Sequence, residues 1–316
     1  SCSAAARRSP SLELVHEPRV AVVGGSSDHL AHITDDQTIC AAAAAVWAQG
    51  GVPFSFGIPV MCDGTAQAHL GMSYSLFTRN LSAEFVASQM ESHAYHAAIV
   101  LQGCDKTPFG IACGLTAVDL ARKARGEAPL WATFVPGHVL KGGEIPLETR
   151  VALEKLARKA ERAGYGPLAD DLRDTMDYVV QCTTNEAYVG VFRRMIEAGI
   201  LTGSASAKLR RALSTCACHA DGGICAFNGT GNSSRLALSA MGLVHPAVEL
   251  LSRPPSVERV EALVSGLFAT FNRAAFSVSE LVRANWANAV HVHSATGGST
   301  NLILHLVALG NYAGKK

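Results

Sequence analysis

The sequence predicts an α/β protein whose mostly parallel sheet is covered by helices on both faces, in three layers, with an additional helical insertion. Short apolar runs alternate with helical segments through the first part of the chain, and this alternation is typical of parallel sheets. The chain has 316 residues, enough for one large or two ordinary domains. Hydrophobic residues make up 48% and charged residues 17% of it, which excludes a disordered chain.

The sheet elements are predicted between residues 19 and 135. Residues 19–23 (RVAVV) form a β-branched run that ends at a pair of glycines, which predicts a buried strand. The Ala-rich residues 35–49 predict a helix that Thr34 or Asp35 caps. Further strands are predicted at 53–60, 97–101 and 130–135, helices at 76–96 and 107–121, and a polar loop at 62–71.

The charge pattern changes between residues 148 and 213, where charged residues recur at helical spacing and Pro and Gly separate three or four helices. We interpret this segment as a solvated helical insertion in a domain that spans residues 19–316. A Cys- and Gly-rich loop follows it. Helices are then predicted at 233–241 and 257–271, and a last one after the glycines of 297–301.

Residues 1–18 are predicted to be a flexible tail or the remnant of a presequence, because their first part contains arginines and no acid. We therefore expect a cytoplasmic protein, or one of the mitochondrial matrix or plastid if this segment is left from a transit peptide. Lys and Arg number 27 against 26 Asp and Glu, so we expect no nucleic-acid partner. The longest apolar run, 39–48, is far shorter than the roughly 20 residues of a membrane span, so we expect no membrane partner.

Nine cysteines in a chain of this length do not indicate a secreted disulfide scaffold. Three thiolates from separate loops can hold an iron–sulfur cluster and leave one iron open as a Lewis acid. A carboxylate that follows such a cysteine suits Mg²⁺ instead. Three loops hold a cysteine next to an acid or glycines: Met61-Cys62-Asp63-Gly64, Gly103-Cys104-Asp105-Lys106 and Gly222-Gly223-Ile224-Cys225. In the first two, an Asp directly follows the cysteine.

Other interpretations of these residues stay open at this point. A single cysteine in an Ala- and Gly-rich chain is often a small buried hydrophobic residue. A zinc site is a second alternative, although its Cys-x-Cys-His spacing is unusual; its ligands would be Cys216, Cys218, His219 and Cys225. The glycines of 297–301 before an apolar helix fit an anion site and a helix cap equally well.

Four motifs occur in order along the chain: 57–79 (GIPVMCDGTAQAHLGMSYSLFTR), 103–106 (GCDK), 223–232 (GICAFNGTGN) and 295–306 (ATGGSTNLILHL). Together they resemble the dihydroxy-acid dehydratase and phosphogluconate dehydratase family, which includes aldonate dehydratases. The likeness covers most of residues 19–314. It implies a hydro-lyase that converts a 2,3-dihydroxy acid or sugar acid into a 2-oxo-3-deoxy acid.

The resemblance also implies roles for individual residues. Cys62, Cys104 and Cys225 correspond to the ligands of a cluster, of the 2Fe–2S or 4Fe–4S type. Asp63 and Asp105 correspond to Mg²⁺ ligands, and Lys106 to a catalytic lysine that is carbamylated and joins the Mg²⁺ shell. In such enzymes Mg²⁺ holds the substrate carboxylate and 2-hydroxyl, while the open iron takes the 3-hydroxyl as the leaving group.

The chain departs from the family pattern in four places. Pro108 comes one residue early, residues 25–29 hold no cysteine, and the segment 148–213 is longer than the usual connection. Family members continue into a barrel-like second domain that supplies a serine as the C2 base, and we expect this domain to be absent here. The expected partners are therefore a small acid substrate, further copies of the chain, and a second chain or domain that completes the site.

Two other functions fit part of the pattern. A structural or assembly subunit derived from this fold would need no C2 base. A simple binding module for a sugar acid or phosphate would need only the glycine loops, and would leave the three cysteines unexplained.

Overall fold

The computed structural model describes residues 16–26, 29–66, 70–103, 106–140, 142–178, 180, 182–217, 221–225, 228–249 and 251–315. The chain divides into two compact units. The first unit comprises the described parts of 1–139 and 222–316, and the second is Leu140–Asp221. The predicted insertion, 148–213, lies within the second unit.

The first unit contains a parallel sheet, as the sequence predicts. In the described residues its strands are β1 (Arg19–Gly25), β2 (Val52–Ile58), β3 (Ala97–Gln102) and β4 (Trp131–Pro136). Their order is β2-β1-β3-β4, and every neighbouring pair is parallel. All residues of β3 and β4 are buried, which explains why these strands appear in the sequence as unbroken apolar runs.

Helices cover this sheet on both faces. The chain turns to one side of β1 to form β2 and to the other side to form β3 and β4. Right-handed crossovers therefore place the helix after β1 on one face and the helices after β2 and β3 on the other. The helices are α1 (Asp35–Ala48), α2 (Asp63–Ala66), α3 (Met72–Ser92), α4 (Thr107–Ala124), α9 (Thr230–Ala240), α10 (Val257–Thr270), α11 (Val278–Ala295) and α12 (Thr300–Tyr312). Helix α1 packs on α10, and α4 packs on α3, α11 and α12.

Two local predictions need correction, and one departure from the family pattern has no structural effect. The stretch 62–71 is not loop throughout, because α2 forms one turn in which the Ala66 N–H donates to the Cys62 carbonyl at 3.1 Å. The helix expected from residue 76 begins at Met72. The early Pro108 does not disturb α4, since it lies in the first turn, where its missing N–H leaves no hydrogen bond unmade.

The second unit is a group of helices with a core of its own. Within its described residues the helices are α5 (Leu147–Arg162), α6 (Gly166–Asp177), α7 (Cys182–Glu197) and α8 (Gly203–Thr215). Their buried side chains include Leu153, Leu172 and Phe192. In the described parts of both units, no helix is long and apolar enough to cross a membrane.

Candidate functional site

The strand order determines where a ligand site is expected. In open parallel sheets of this order, ligands bind outside the carboxyl ends of the strands where the chain direction switches, here between β1 and β3. Strand β1 ends at Gly25, and β3 is followed by Gly103. Both positions need glycine, because a Cβ there would lie 2.3 Å and 2.1 Å, respectively, from atoms of the His32 imidazole. The His32 ring therefore lies against this edge of the sheet.

His32 is held in place by Asp35. The imidazole is 3% exposed, and its Nδ1 lies 2.7 Å from Asp35 Oδ2. The same carboxylate oxygen accepts the Gly25 N–H at 3.1 Å. Because a carboxylate only accepts, Nδ1 of His32 carries a proton and donates to Asp35. Nε2 is buried and makes no hydrogen bond to any described residue.

Lys106, Asp63 and Ser75 meet beside the first turn of α4. Lys106 is 3% exposed, and its Nζ donates to Asp63 Oδ1 at 2.6 Å. Nζ also donates to the Ser75 hydroxyl, which donates to the same Asp63 oxygen. The structure thus brings together two residues that the sequence assigns to one site. It adds Ser75, which the sequence analysis missed although it lies inside the motif 57–79.

His305 on α12 borders this cluster. It is fully buried, and its Nδ1 accepts a long hydrogen bond of 3.5 Å from Arg79 Nη1. Burial, together with the positive charges of Arg79 and Lys106, lowers the pKa of His305 to about 4. The imidazole is therefore neutral near pH 7, with its proton on Nε2. That N–H is buried and has no acceptor in the described part of the chain.

Cys225 lies in a loop that is tied to the end of β4. The Ile224 N–H donates to the His138 carbonyl at 2.9 Å, and Val139 and Ile224 form a parallel bridge. The Asn232 side chain donates to the Cys225 carbonyl at 2.6 Å. Cys225 and Cys62 are both half-buried. These contacts fix the backbone of the Cys225 loop at the same edge of the sheet as Gly103.

The glycines of 297–301 are joined to the start of α9. The Ser299 N–H donates to the Ser233 hydroxyl at 2.9 Å, and the Ser299 hydroxyl lies 3.0 Å from that of Thr230. One amide that an anion would need is therefore already used inside the protein. This arrangement favours the helix-start interpretation of the segment.

Two predicted site residues, Cys104 and Asp105, lie outside the described residues, as do Cys218 and His219 of the zinc alternative. Among the residues that the structure describes, no three His, Cys, Asp or Glu side chains come close enough to hold a metal ion. The cluster ligands and the Mg²⁺ ligands therefore stay predictions.

Comparison with known proteins supports the family resemblance that the motifs indicate. The chain matches the family model described as dihydroxy-acid/6-phosphogluconate dehydratase N-terminal, over residues 17–122 and 176–316. It is 29% identical over 269 residues to the dihydroxy-acid dehydratase of Thermodesulfovibrio yellowstonii, covering 84% of this chain and 40% of that protein. It is 28% identical over 294 residues to the dihydroxy-acid dehydratase of Archaeoglobus fulgidus, covering 90% of this chain and 43% of that one.

These matches show how much of its relatives' length the chain spans and which family it belongs to. The chain spans about two fifths of the length of the curated relatives it matches. The family model, however, covers well over half of the chain, including the Asp63, Lys106 and Cys225 segments. The chain belongs to the dihydroxy-acid/6-phosphogluconate dehydratase N-terminal family.

Proposed function

We propose that this chain is the N-terminal part of a hydro-lyase that converts a 2,3-dihydroxy acid or sugar acid into a 2-oxo-3-deoxy acid. Family membership supports the reaction class. The observation that carries the proposal is the buried contact of Lys106 with Asp63 at 2.6 Å. In the overall reaction the C2–H and C3–O bonds break, water leaves, and the resulting enol becomes the 2-oxo acid.

The Lys106 contact supports the proposal of a modified lysine at a Mg²⁺ site. As an ammonium, Lys106 neutralises Asp63 and repels a divalent cation. Loss of one proton to solvent gives the amine, whose nitrogen forms a bond to the carbon of CO₂ and loses a second proton. The product is a carbamate anion beside Asp63, two oxygen donors of the kind that Mg²⁺ prefers. Ser75, which contacts both groups, orients them.

The predicted ligands fall into two sets, sulfur donors and oxygen donors, which fit two different metals. Cys62 and Cys225 offer soft sulfur, and we assign them with Cys104 to the iron–sulfur cluster. Asp63, Asp105 and modified Lys106 offer hard oxygen, and we assign them to Mg²⁺. When bound, an open iron and Mg²⁺ supply Lewis acidity toward the leaving hydroxyl and the developing enolate.

The surrounding side chains bind and orient an acidic substrate. The positive charge of Arg79 lies next to His305, which favours a carboxylate. The neutral Nε2–H of His305 is a buried donor available to a substrate oxygen. No Ser, His or Glu here has a motif that marks it as the C2 base. We propose that the base is supplied by the part of the relatives that this chain does not span.

The test uses the 316-residue chain, reconstituted anaerobically with iron, sulfide, Mg²⁺ and bicarbonate. It is given glycerate or gluconate, and 2-oxo acid is measured as its hydrazone. We expect little turnover by the chain alone, and turnover when the unmatched part of the Thermodesulfovibrio yellowstonii enzyme is added or fused. The K106M variant is the control, because it has no amine to modify. No product in any arm would favour the non-catalytic subunit.

A further inference from the structure

Arg235 on α9 is a buried cation that forms no ion pair with any described acid. The residue is 5% exposed. Its Nη2 donates to Asn232 Oδ1, and its Nη1 donates to the Gly137 carbonyl at 3.4 Å. Its Nε is buried and makes no hydrogen bond within the described residues. Burial lowers the pKa of the guanidinium from its usual high value, but an arginine remains charged near pH 7.

A buried charge of this kind is costly unless an opposite charge lies nearby. A second buried arginine among the described residues of the unit has an acidic partner. Arg122 is 8% exposed, and its Nε donates to Glu91 Oε1 at 2.6 Å while its remaining donors bind backbone carbonyls. Among the described carboxylates, none forms an ion pair with Arg235. A negative charge that balances it therefore lies outside the described carboxylates.

The position of Arg235 shows where that charge belongs. Asn232, which accepts from Arg235, also donates to the carbonyl of Cys225 at 2.6 Å. The Gly137 carbonyl, which accepts from Arg235, directly follows β4, and the Ile224 N–H beside Cys225 donates to the adjacent His138 carbonyl at 2.9 Å. The guanidinium thus lies behind the loop that carries Cys225, one of the proposed cluster ligands.

We infer that Arg235 is the buried counter-charge of an anionic iron–sulfur cluster that Cys225 helps to hold. The inference rests on the proposed function. Three thiolates outweigh the positive core of an oxidised cluster, and reduction adds a further negative charge. A fixed positive charge stabilises the reduced state more, so Arg235 raises the reduction potential. Arg235 acts through the electric field of its charge and through its hydrogen bond to Asn232. It is a positioning residue and does not contact the substrate.

The experiment compares Arg235→Met, Arg235→Lys and Arg122→Met in the full chain, with iron content and the midpoint potential of the reconstituted cluster as readouts. Arg235→Met should lower the equilibrium constant for reduction at least tenfold, which is 59 mV for a one-electron couple. Arg235→Lys keeps the charge and should stay close to the wild type. Arg122→Met should leave the potential unchanged, because Arg122 lies at the far end of α4.

Thermal unfolding of the cluster-free proteins separates this role from a structural one. Without the cluster, Arg235→Met removes a charge with no described acid beside it but also two hydrogen bonds, whereas Arg122→Met breaks an ion pair with Glu91. Arg235→Met should therefore lose less stability than Arg122→Met. A cluster with the same potential in Arg235→Met and wild type would overturn the inference. An Arg235→Met chain that fails to fold would overturn it as well. A wild-type chain that binds no iron would instead overturn the proposed function.

Discussion

His32 lies so close to Gly103 that a Cβ on residue 103 would be 2.1 Å from the imidazole Nε2. The Gly103→Ala variant should therefore lose about 1–3 kcal/mol of stability, the usual cost of overpacking. Gly57 is the matched control at the end of β2, because a Cβ there would meet its nearest atom at 3.8 Å. Chemical denaturation measures both variants.

The double variant H32A/G103A tests whether the clash is the cause. If it is, the double variant should be more stable than the sum of the single effects predicts. Additive losses would show that residue 103 needs glycine for another reason.

The pH dependence of stability should show the lowered pKa of His305. Its pKa in the folded protein is lowered to about 4, below the usual 6.5, so the unfolded chain binds the proton first as the pH falls. Stability is then lost as the pH falls from 6.5 to 4, by up to about 3 kcal/mol from this group. His305→Gln should flatten this part of the curve. His291→Gln, at an exposed position, should leave it unchanged.

The cysteine assignment predicts a coloured protein. Anaerobic reconstitution of the wild type should give visible sulfur-to-iron absorption, and serine at Cys62, Cys104 or Cys225 should abolish or greatly weaken it. Cys113→Ala is the control, because burial raises the pKa of that thiol to about 12 and keeps it protonated. A ligand variant with the wild-type spectrum would remove that residue from the cluster.

The Mg²⁺ assignment predicts that metal binding depends on bicarbonate. With bicarbonate, native mass spectrometry should show one added CO₂, and Mg²⁺ affinity measured by calorimetry should rise. Asp63→Asn removes one charge from the site and should weaken Mg²⁺ binding at least tenfold. Ser88→Ala on the exposed face of α3 is the control. Equal Mg²⁺ affinity with and without bicarbonate would argue against a carbamate.

Asp119 should be important for stability without any part in the site. It is fully buried, and its two oxygens accept the Leu130 and Ser279 amides at 2.8 Å each. Asp119→Ala leaves two buried donors without an acceptor, which should cost about 3 kcal/mol in thermal denaturation. Asp170→Ala, at an exposed carboxylate, should change stability little.

The sheet could be predicted because β1, β3 and β4 are buried on both faces and therefore apolar throughout. The sequence pattern predicts the start of α3 four residues late, because apolar residues do not recur at helical spacing from Met72 to Ser75. Ser75 is buried all the same, because it contacts Lys106. A polar residue buried by a distant partner leaves no local signal.

The same reason explains which site residues were missed. Asp63 and Lys106 were found through motifs, and the structure places them in contact. His32 and Arg235 carry no motif. The role of His32 depends on the turn at Gly103, and that of Arg235 on the absence of a described acid beside it. Such roles arise only when segments far apart in sequence fold against each other.

The bridge between Val139 and Ile224 has a consequence for how this chain can change in length. The chain leaves the sheet at one residue and returns at the other, so the two ends of everything between them are held side by side. The closure entropy of such an excursion grows slowly with its length. The helical segment between Val139 and Ile224 can therefore be replaced, in evolution or by design, with a short turn or a reporter domain. The Cys225 loop would remain attached to the end of β4.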